Sequence, residues 1–279
     1  MLAGVLPVCF GKATPIIEYC DDDFKAYEAE MKLVMVTVTL DITGTVLAQN
    51  EANVTADELR AVLARFLGEQ EQTPPMYSAI KVNGKKLYEI ARAGGTAERK
   101  PRRIRIDALS LIGEDAGDWV LDVRCSKGTY IRALCDDIGA ALGCGGCMSA
   151  LRRTMAGGFT LADCHTLEEV QSGGEALLSP TDSLFRQYPA YTIPSAEEER
   201  RCRCGNPLTA AVPDGLYRIY GGGRGFFVFR PGGGRGAASP NKSFCKGTIF
   251  EGNEQTPALF AASTWGPGPR RDKTTHAPP

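Results

Sequence analysis

Two short segments carry most of the chemistry this sequence offers. Met76-Tyr-Ser-Ala-Ile-Lys81 places an aromatic hydroxyl, Tyr77, directly after the stiff run Thr73-Pro74-Pro75. A tyrosine there either fills a core or stacks on a nucleobase, since every base has a π-face. Ser126-Lys-Gly-Thr-Tyr-Ile-Arg132 sets Tyr130 and Arg132 around a strand-to-helix junction. Neighbouring side chains at a helix start point in different directions, so one can face a cleft while Ile131 enters the core. A buried arginine is costly alone and calls for a carboxylate. Asp136, four residues on, is the local candidate.

The third feature is charge. Between Lys81 and Arg105 lie nine Lys or Arg residues against only Glu89 and Glu98, in a chain whose net charge is −1. Such a run is either a solvated surface or a clamp for a phosphate backbone. Read as a clamp, it offers Lys81, Lys85, Lys86, Arg102 and Arg103. Lys127, Arg152 and Arg153 extend it if the fold brings them near.

The 279 residues contain 43% hydrophobic and 23% charged residues, enough for a sizeable core. No apolar run reaches membrane-spanning length, and the N-terminus lacks a signal-peptide pattern. A cytoplasmic protein with ten reduced cysteines is the expectation. Cys9, Cys125 and Cys135 sit in apolar contexts and read as small hydrophobes. Cys144-Gly-Gly-Cys147 has metal-like spacing and Cys202-Arg-Cys204 does not. No second pair follows at a finger-like interval, so no metal is expected.

The elements that must position these residues follow from periodicity. Lys25 to Leu33 alternates as a half-buried strand, and Val34 to Leu40 reads as its β-branched continuation. Thr55 and Glu58 form a capping box for a helix bearing Leu59, Leu63 and Phe66. Lys85 to Ala93 reads as a short helix, and Ile104–Ile112 and Trp119–Cys125 as strands. Ile131, Leu134, Cys135, Ile138 and Leu142 fall at helical spacing. Thr166 and Glu169 start another helix. Strands and helices mix without regular alternation, which predicts an α+β fold. Residues 1–182 are expected to form the main domain and 183–246 a small β module with strands near 215–220 and 226–229. Residues 247–279 read as a disordered tail after the repeated GGGRG segments.

Taken together, GVLPVCFGKAT, PPMYSAIKVNGKKLYEIARAG, CSKGTYIRALCDDIGAALG and LRRTMAGGF resemble the bacterial tRNA pseudouridine synthase B family, in family order and spacing, over residues 4 to about 220. The resemblance implies a mixed, largely antiparallel sheet flanked by helices, with a C-terminal RNA-binding appendage. It implies isomerisation of a uridine in the TΨC arm of tRNA, without cofactor or metal; a monomer is the default expectation. The base is flipped out of its loop, and an aspartate acts as covalent nucleophile. Tyr77 then matches the tyrosine that stacks on the flipped base and is a candidate for removing the final proton. Arg132 matches the partner of the nucleophilic aspartate, Tyr130 a second active-site tyrosine, and Lys81 and Lys127 RNA-facing positions.

The sequence also departs from the family pattern. Gly4-Val-Leu-Pro7 is the tail of the motif Gly-x-Leu-Asp-Pro-x-Ala-x-Gly-Val-Leu-Pro, whose aspartate falls two positions before Met1; Leu2 replaces the motif's alanine. In Leu33-Val-Met-Val-Thr-Val-Thr39, Val34 stands where the family has Gly and Val38 where it has an acidic residue. Asp41 is the nearest carboxylate in a family-like motif but matches a different position. The expectation is a site short of its nucleophile, with Arg132 lacking its family partner and no pseudouridylation by these 279 residues alone. A non-catalytic tRNA-binding protein or RNA chaperone, or a truncated pseudogene product, is the alternative.

Overall fold

The computed structural model describes residues 2–10, 14, 24–186, 188–204, 208–210, 212–213, 217–221, 226–229, 242–244, 249–250 and 259–263. The GGGRG repeats lie almost entirely outside these residues. The chain forms two compact units. One is built from residues 2–5 and 24–156, the other from the described residues of 6–21 and 157–263.

In chain order the elements that concern the site are β1 (Leu2–Gly4), β2 (Leu6–Cys9), β3 (Phe24–Leu33), β4 (Met35–Thr37) and β5 (Val46–Gln49). Next come α1 (Ala56–Leu63), β6 (Gly68–Gln72), β7 (Lys81–Val82), β8 (Lys85–Lys86) and α2 (Leu87–Arg92). β9 (Arg102–Asp115), β10 (Asp118–Ser126), α3 (Ile131–Ala141) and β11 (Gly146–Ala156) complete them. The central sheet of the first unit runs in the order β1-β11-β3-β10-β9-β6. Its pairs are antiparallel except the short parallel contact of β1 with β11.

Alternation dictates which face of this sheet is dry. Tyr27, Ala29, Met31 and Leu33 of β3 point to one face with Leu121, Val123 and Cys125 of β10 and Ile104 and Ile106 of β9. Leu59 and Leu63 of α1 and Ile131, Leu134, Cys135 and Ile138 of α3 cover that face. Each fully buried leucine contributes roughly 1.5–3 kcal/mol. The Thr55/Glu58 capping box starts α1 as expected from sequence. α3 approaches β11 closely: a Cβ on Gly139 would overlap the backbone of Gly145 and Gly146.

One strand expectation needs correction. Val34 to Leu40 does not continue β3. Val34 adopts φ 62° and breaks the strand, leaving the three-residue β4 paired with β5. The backbone there is pinned from both sides: Val34 N–H donates to Gly145 O at 3.0 Å, and Val34 O accepts from Asn50 N–H at 2.9 Å.

In the second unit, Tyr217–Tyr220 pairs antiparallel with Phe226–Phe229, as the β-module reading expects. Ala190–Thr192 joins Tyr217–Tyr220 in parallel, and a helix at Ala196–Arg203 begins at the cap Ser195. Ile193, Cys202, Tyr217 and Ile219 form its small core. The Thr166/Glu169 capping box also forms. Residues 247–279 do not read throughout as a structureless tail. Ile249–Phe250 and Leu259–Ser263 are strands, the latter pairing with β2. Residues 264–279 lie outside the described residues.

Candidate active site

The site is assembled at the N-terminus of α3. β10 ends in the turn Ser126-Lys-Gly-Thr129, where Gly128 takes φ 84° and the Thr129 hydroxyl donates to Ser126 O at 2.9 Å. Tyr130 is the N-cap in extended conformation, and Arg132 is the second helical residue. The reversal sends Ile131 into the core and leaves Arg132 partly exposed, its side chain 23% accessible.

Arg132 joins two segments that are remote in sequence. Its Nη1 donates to Thr39 O at 3.0 Å and to Asp41 Oδ2 at 3.2 Å; its Nη2 donates to Tyr77 O at 2.7 Å. The local pairing with Asp136 does not form. Asp136 has no such cation among the described residues, and burial pushes its carboxyl up. The reason is geometric. The side chain of Arg132 reaches back beyond the helix terminus, where the loop after β4 presents Asp41. Sequence reasoning therefore missed the residue that balances Arg132; the site is not left without a counter-charge.

Asp41 is itself held tightly. Its Oδ1 accepts from Thr39 Oγ1 at 2.8 Å, Thr43 N–H at 3.1 Å and Thr43 Oγ1 at 2.6 Å. Burial pushes this carboxyl up, but the Thr43 and Thr39 hydrogen bonds and the Arg132 guanidinium outweigh it, so it stays below the ordinary carboxylate range. The pattern Thr39-x-Asp41-x-Thr43 is the one signal in the sequence that could have marked it. The loop is tied to the sheet by Ile42 N–H to Met148 O at 2.9 Å and Met148 N–H to Leu40 O at 3.1 Å.

Tyr77 follows β6 on the Thr73-Pro74-Pro75 segment, half-buried, with its carbonyl bound to Arg132. Tyr130 precedes Arg132 by two residues, and its backbone is held by Gln72. The backbones of Tyr77 and Tyr130 are thus both tied to this helix start, Tyr77 through Arg132 and Tyr130 through Gln72.

The cations divide into two groups. Lys81 and Lys85 are exposed on the hairpin of β7 and β8, turned by Asn83 and Gly84 at φ 51° and 82°. With Arg99, Lys100 and Arg102 they line an open groove of about 940 Å³, in which Glu98 is the only carboxylate. Lys86 lies over the ring of Tyr88 at 5.4 Å. Arg103 faces Glu71 across the β6–β9 register, and Lys127 is exposed in the turn ahead of α3. Arg152 and Arg153 are otherwise engaged: Arg152 pairs with Glu28 at 2.6 Å, and Arg153 Nε donates to Val5 O at 2.6 Å. Among the described residues no cluster of three or more His, Cys, Asp or Glu could hold a metal ion. None of the described helices is long and apolar enough to cross a membrane.

Residues 1–131 match the model of the TruB family pseudouridylate synthase N-terminal domain, and residues 132–185 that of the tRNA pseudouridylate synthase B C-terminal domain. The chain belongs to the TruB family. The boundary between the two matches falls at the start of α3, between Ile131 and Arg132. tRNA pseudouridine synthase B of Ralstonia pickettii is 44% identical over 232 residues, covering 79% of this chain and 73% of that protein. Its counterpart in Thiobacillus denitrificans is 43% identical over 229 residues, covering 81% and 76%. Solved structures share the TruB-like fold at lower identity. A Cbf5-Nop10-Gar1 complex superposes with TM-score 0.64 at 21% identity, covering 92% of this chain and 75% of that one. An H/ACA RNP bound to a substrate RNA containing 2'-deoxyuridine gives 0.60 at 18% identity, covering 90% and 78%.

Proposed function

We propose that this TruB-family chain is built to isomerise uridine to pseudouridine in the TΨC arm of tRNA, in the cytoplasm, with Arg132 as the organising residue of the reaction. The observation that carries this reading is the way the Arg132 fork is used. A guanidinium has five N–H donors. Three are taken by Thr39, Asp41 and Tyr77, all through Nη1 and Nη2. Nε–H and one Nη2–H have no partner among the described residues. These unused donors leave the guanidinium able to bind a second carboxylate. A carboxylate of that kind is what the family motif supplies.

Asp41 is a poor candidate for the nucleophile. Its oxygens already accept four hydrogen bonds, and its low basicity weakens attack on carbon. Its part is to balance and aim Arg132, so that the guanidinium meets the nucleophilic carboxylate without rearrangement. Tyr77, on its Pro-stiffened segment, is placed to stack on the flipped uracil and to accept the proton lost when the C–C bond forms. The groove of Lys81, Lys85, Arg99, Lys100 and Arg102 receives the RNA backbone, so affinity should fall steeply with salt.

The test is pseudouridine mapping on an unmodified tRNA transcript, using the chain preceded by the motif's Leu-Asp-Pro segment. Product at the TΨC uridine is expected, with Arg132→Lys lowering turnover on the order of 10²-fold because lysine keeps the charge and loses the fork. Salt-sensitive tRNA binding with no product from the extended chain would refute this reading and favour an RNA chaperone.

A further inference from the structure

Gln72 is one of the few buried polar side chains, only 4% exposed, and it stands at the end of β6. Its amide makes both of its bonds to the backbone of a single residue. Nε2 donates to Tyr130 O at 3.0 Å, and Oε1 accepts from Tyr130 N–H at 2.8 Å. The side chain thus pairs with Tyr130 as a neighbouring strand would. Tyr130 is the N-cap of α3 and has no side-chain cap bond of its own. Its carbonyl also accepts from Leu134 N–H at 3.0 Å. Gln72 therefore grips the first turn of the helix that carries Arg132.

Five residues after Gln72, the same segment returns to the same helix start through Tyr77 O and Arg132 Nη2 at 2.7 Å. Residues 72–77, stiffened by Pro74 and Pro75, are consequently anchored at both ends on residues 130–132. Resting on the reading of Tyr77 and Arg132 given above, we propose that Gln72 is a positioning residue for the isomerisation. Its amide sets the helix start and the tyrosine-bearing segment as one unit, so that the stacking ring and the guanidinium keep a common register. A merely structural glutamine would stabilise the fold and leave those two groups where they are. A positioning one moves both when its bonds are lost.

The experiment uses the 279-residue chain labelled at arginine and tyrosine side chains, with the Arg132 Nε–H and Tyr77 ring signals followed by NMR. Gln72→Met keeps the volume and removes both hydrogen bonds. It is expected to displace both signals in a folded protein, whereas Leu63→Ala in α1 lowers the melting temperature without displacing them. Gln72→Glu gives a second, internally controlled measurement. Above neutral pH the introduced carboxylate cannot donate to Tyr130 O, and both signals are displaced. On protonation it can again donate and accept, and both return. Unmoved signals in Gln72→Met, or displacement in Gln72→Glu that protonation does not reverse, overturn the proposal. Because these readouts need no turnover, a failure of the pseudouridine assay would count against the function proposed above and not against this coupling.

Discussion

Val34 is a β-branched residue at φ 62°, a conformation such side chains rarely tolerate. The left-handed conformation costs an L-residue with a Cβ roughly 1–2 kcal/mol. The hydrogen bonds to Gly145 and from Asn50 hold it there, and its side chain is partly buried against the main core. Two substitutions separate these effects. Val34→Ala removes the methyls and keeps the strained Cβ. Val34→Gly also removes the Cβ, which relieves about 1–2 kcal/mol and costs about 0.5–1 kcal/mol in unfolded-chain freedom. At an ordinary strand position alanine is the more stable of the two. Here the order should invert, with the glycine variant above the alanine variant by about 0.5–1 kcal/mol, the difference of those two effects. Urea denaturation of both variants at equal slope measures this directly. A glycine variant less stable than the alanine variant by about 1 kcal/mol, the normal order, would refute the strain argument and with it the reason for the strand break before β4.

Gly4→Ala should be severe: at φ 103° a Cβ would overlap the carbonyl of Arg153, so a loss of about 2–3 kcal/mol or more in a thermal melt is expected, with β1 released to protease. Ser78→Ala should be neutral or stabilising by up to about 1 kcal/mol, because its buried hydroxyl finds no hydrogen-bond partner among the described residues; chemical denaturation checks it. Asp137→Asn should stabilise at pH 7 and not at pH 3.5. Burial, then Asp136, raises this carboxyl from 3.8 to about 6. The folded state thus holds the proton more tightly than the unfolded one, a contribution present below about pH 4 and lost as pH rises through about 6. The residue as a whole is exposed, so the burial felt by its carboxyl is shallow and solvent screening keeps the gain under about 1 kcal/mol, read from melts across that range.

What the sequence reveals follows the range of the interaction. The helical spacing of Ile131, Leu134, Cys135 and Ile138, the alternation from Lys25 to Leu33 and the two threonine capping boxes are all decided within a few residues, and the structure contains them. The break at Val34 is decided by Gly145, and the partner of Arg132 lies 91 residues away at Asp41. Spacing alone offers Asp136 instead. Arg152 and Arg153 illustrate the same limit for charge. Adjacent in sequence, they read as more of the basic clamp. The pairing of β11 with β3 and β1 sets one against Glu28 and the other against Val5, and that register is invisible until the sheet is assembled.

The electrostatics of the site also take a different shape from the one the motif suggests. The family pattern reads as a single arginine–aspartate pair, whereas here Arg132, its side chain 23% exposed, already has a carboxylate partner. Asp41 meets Arg132 at Nη1 and is fixed there by Thr39 and Thr43. Arg132 is therefore organised by Thr39, Asp41 and Tyr77 independently of any second carboxylate. Pre-organised donors lose little on reaction, which is where such sites gain most of their catalytic effect. It follows that Asp41→Asn should disturb Arg132 even in the free protein, whereas supplying the motif aspartate should leave the Thr39, Asp41 and Tyr77 contacts in place. Arg132 Nη signals that reorganise on adding the motif segment would show that the second carboxylate, and not Asp41, sets the geometry.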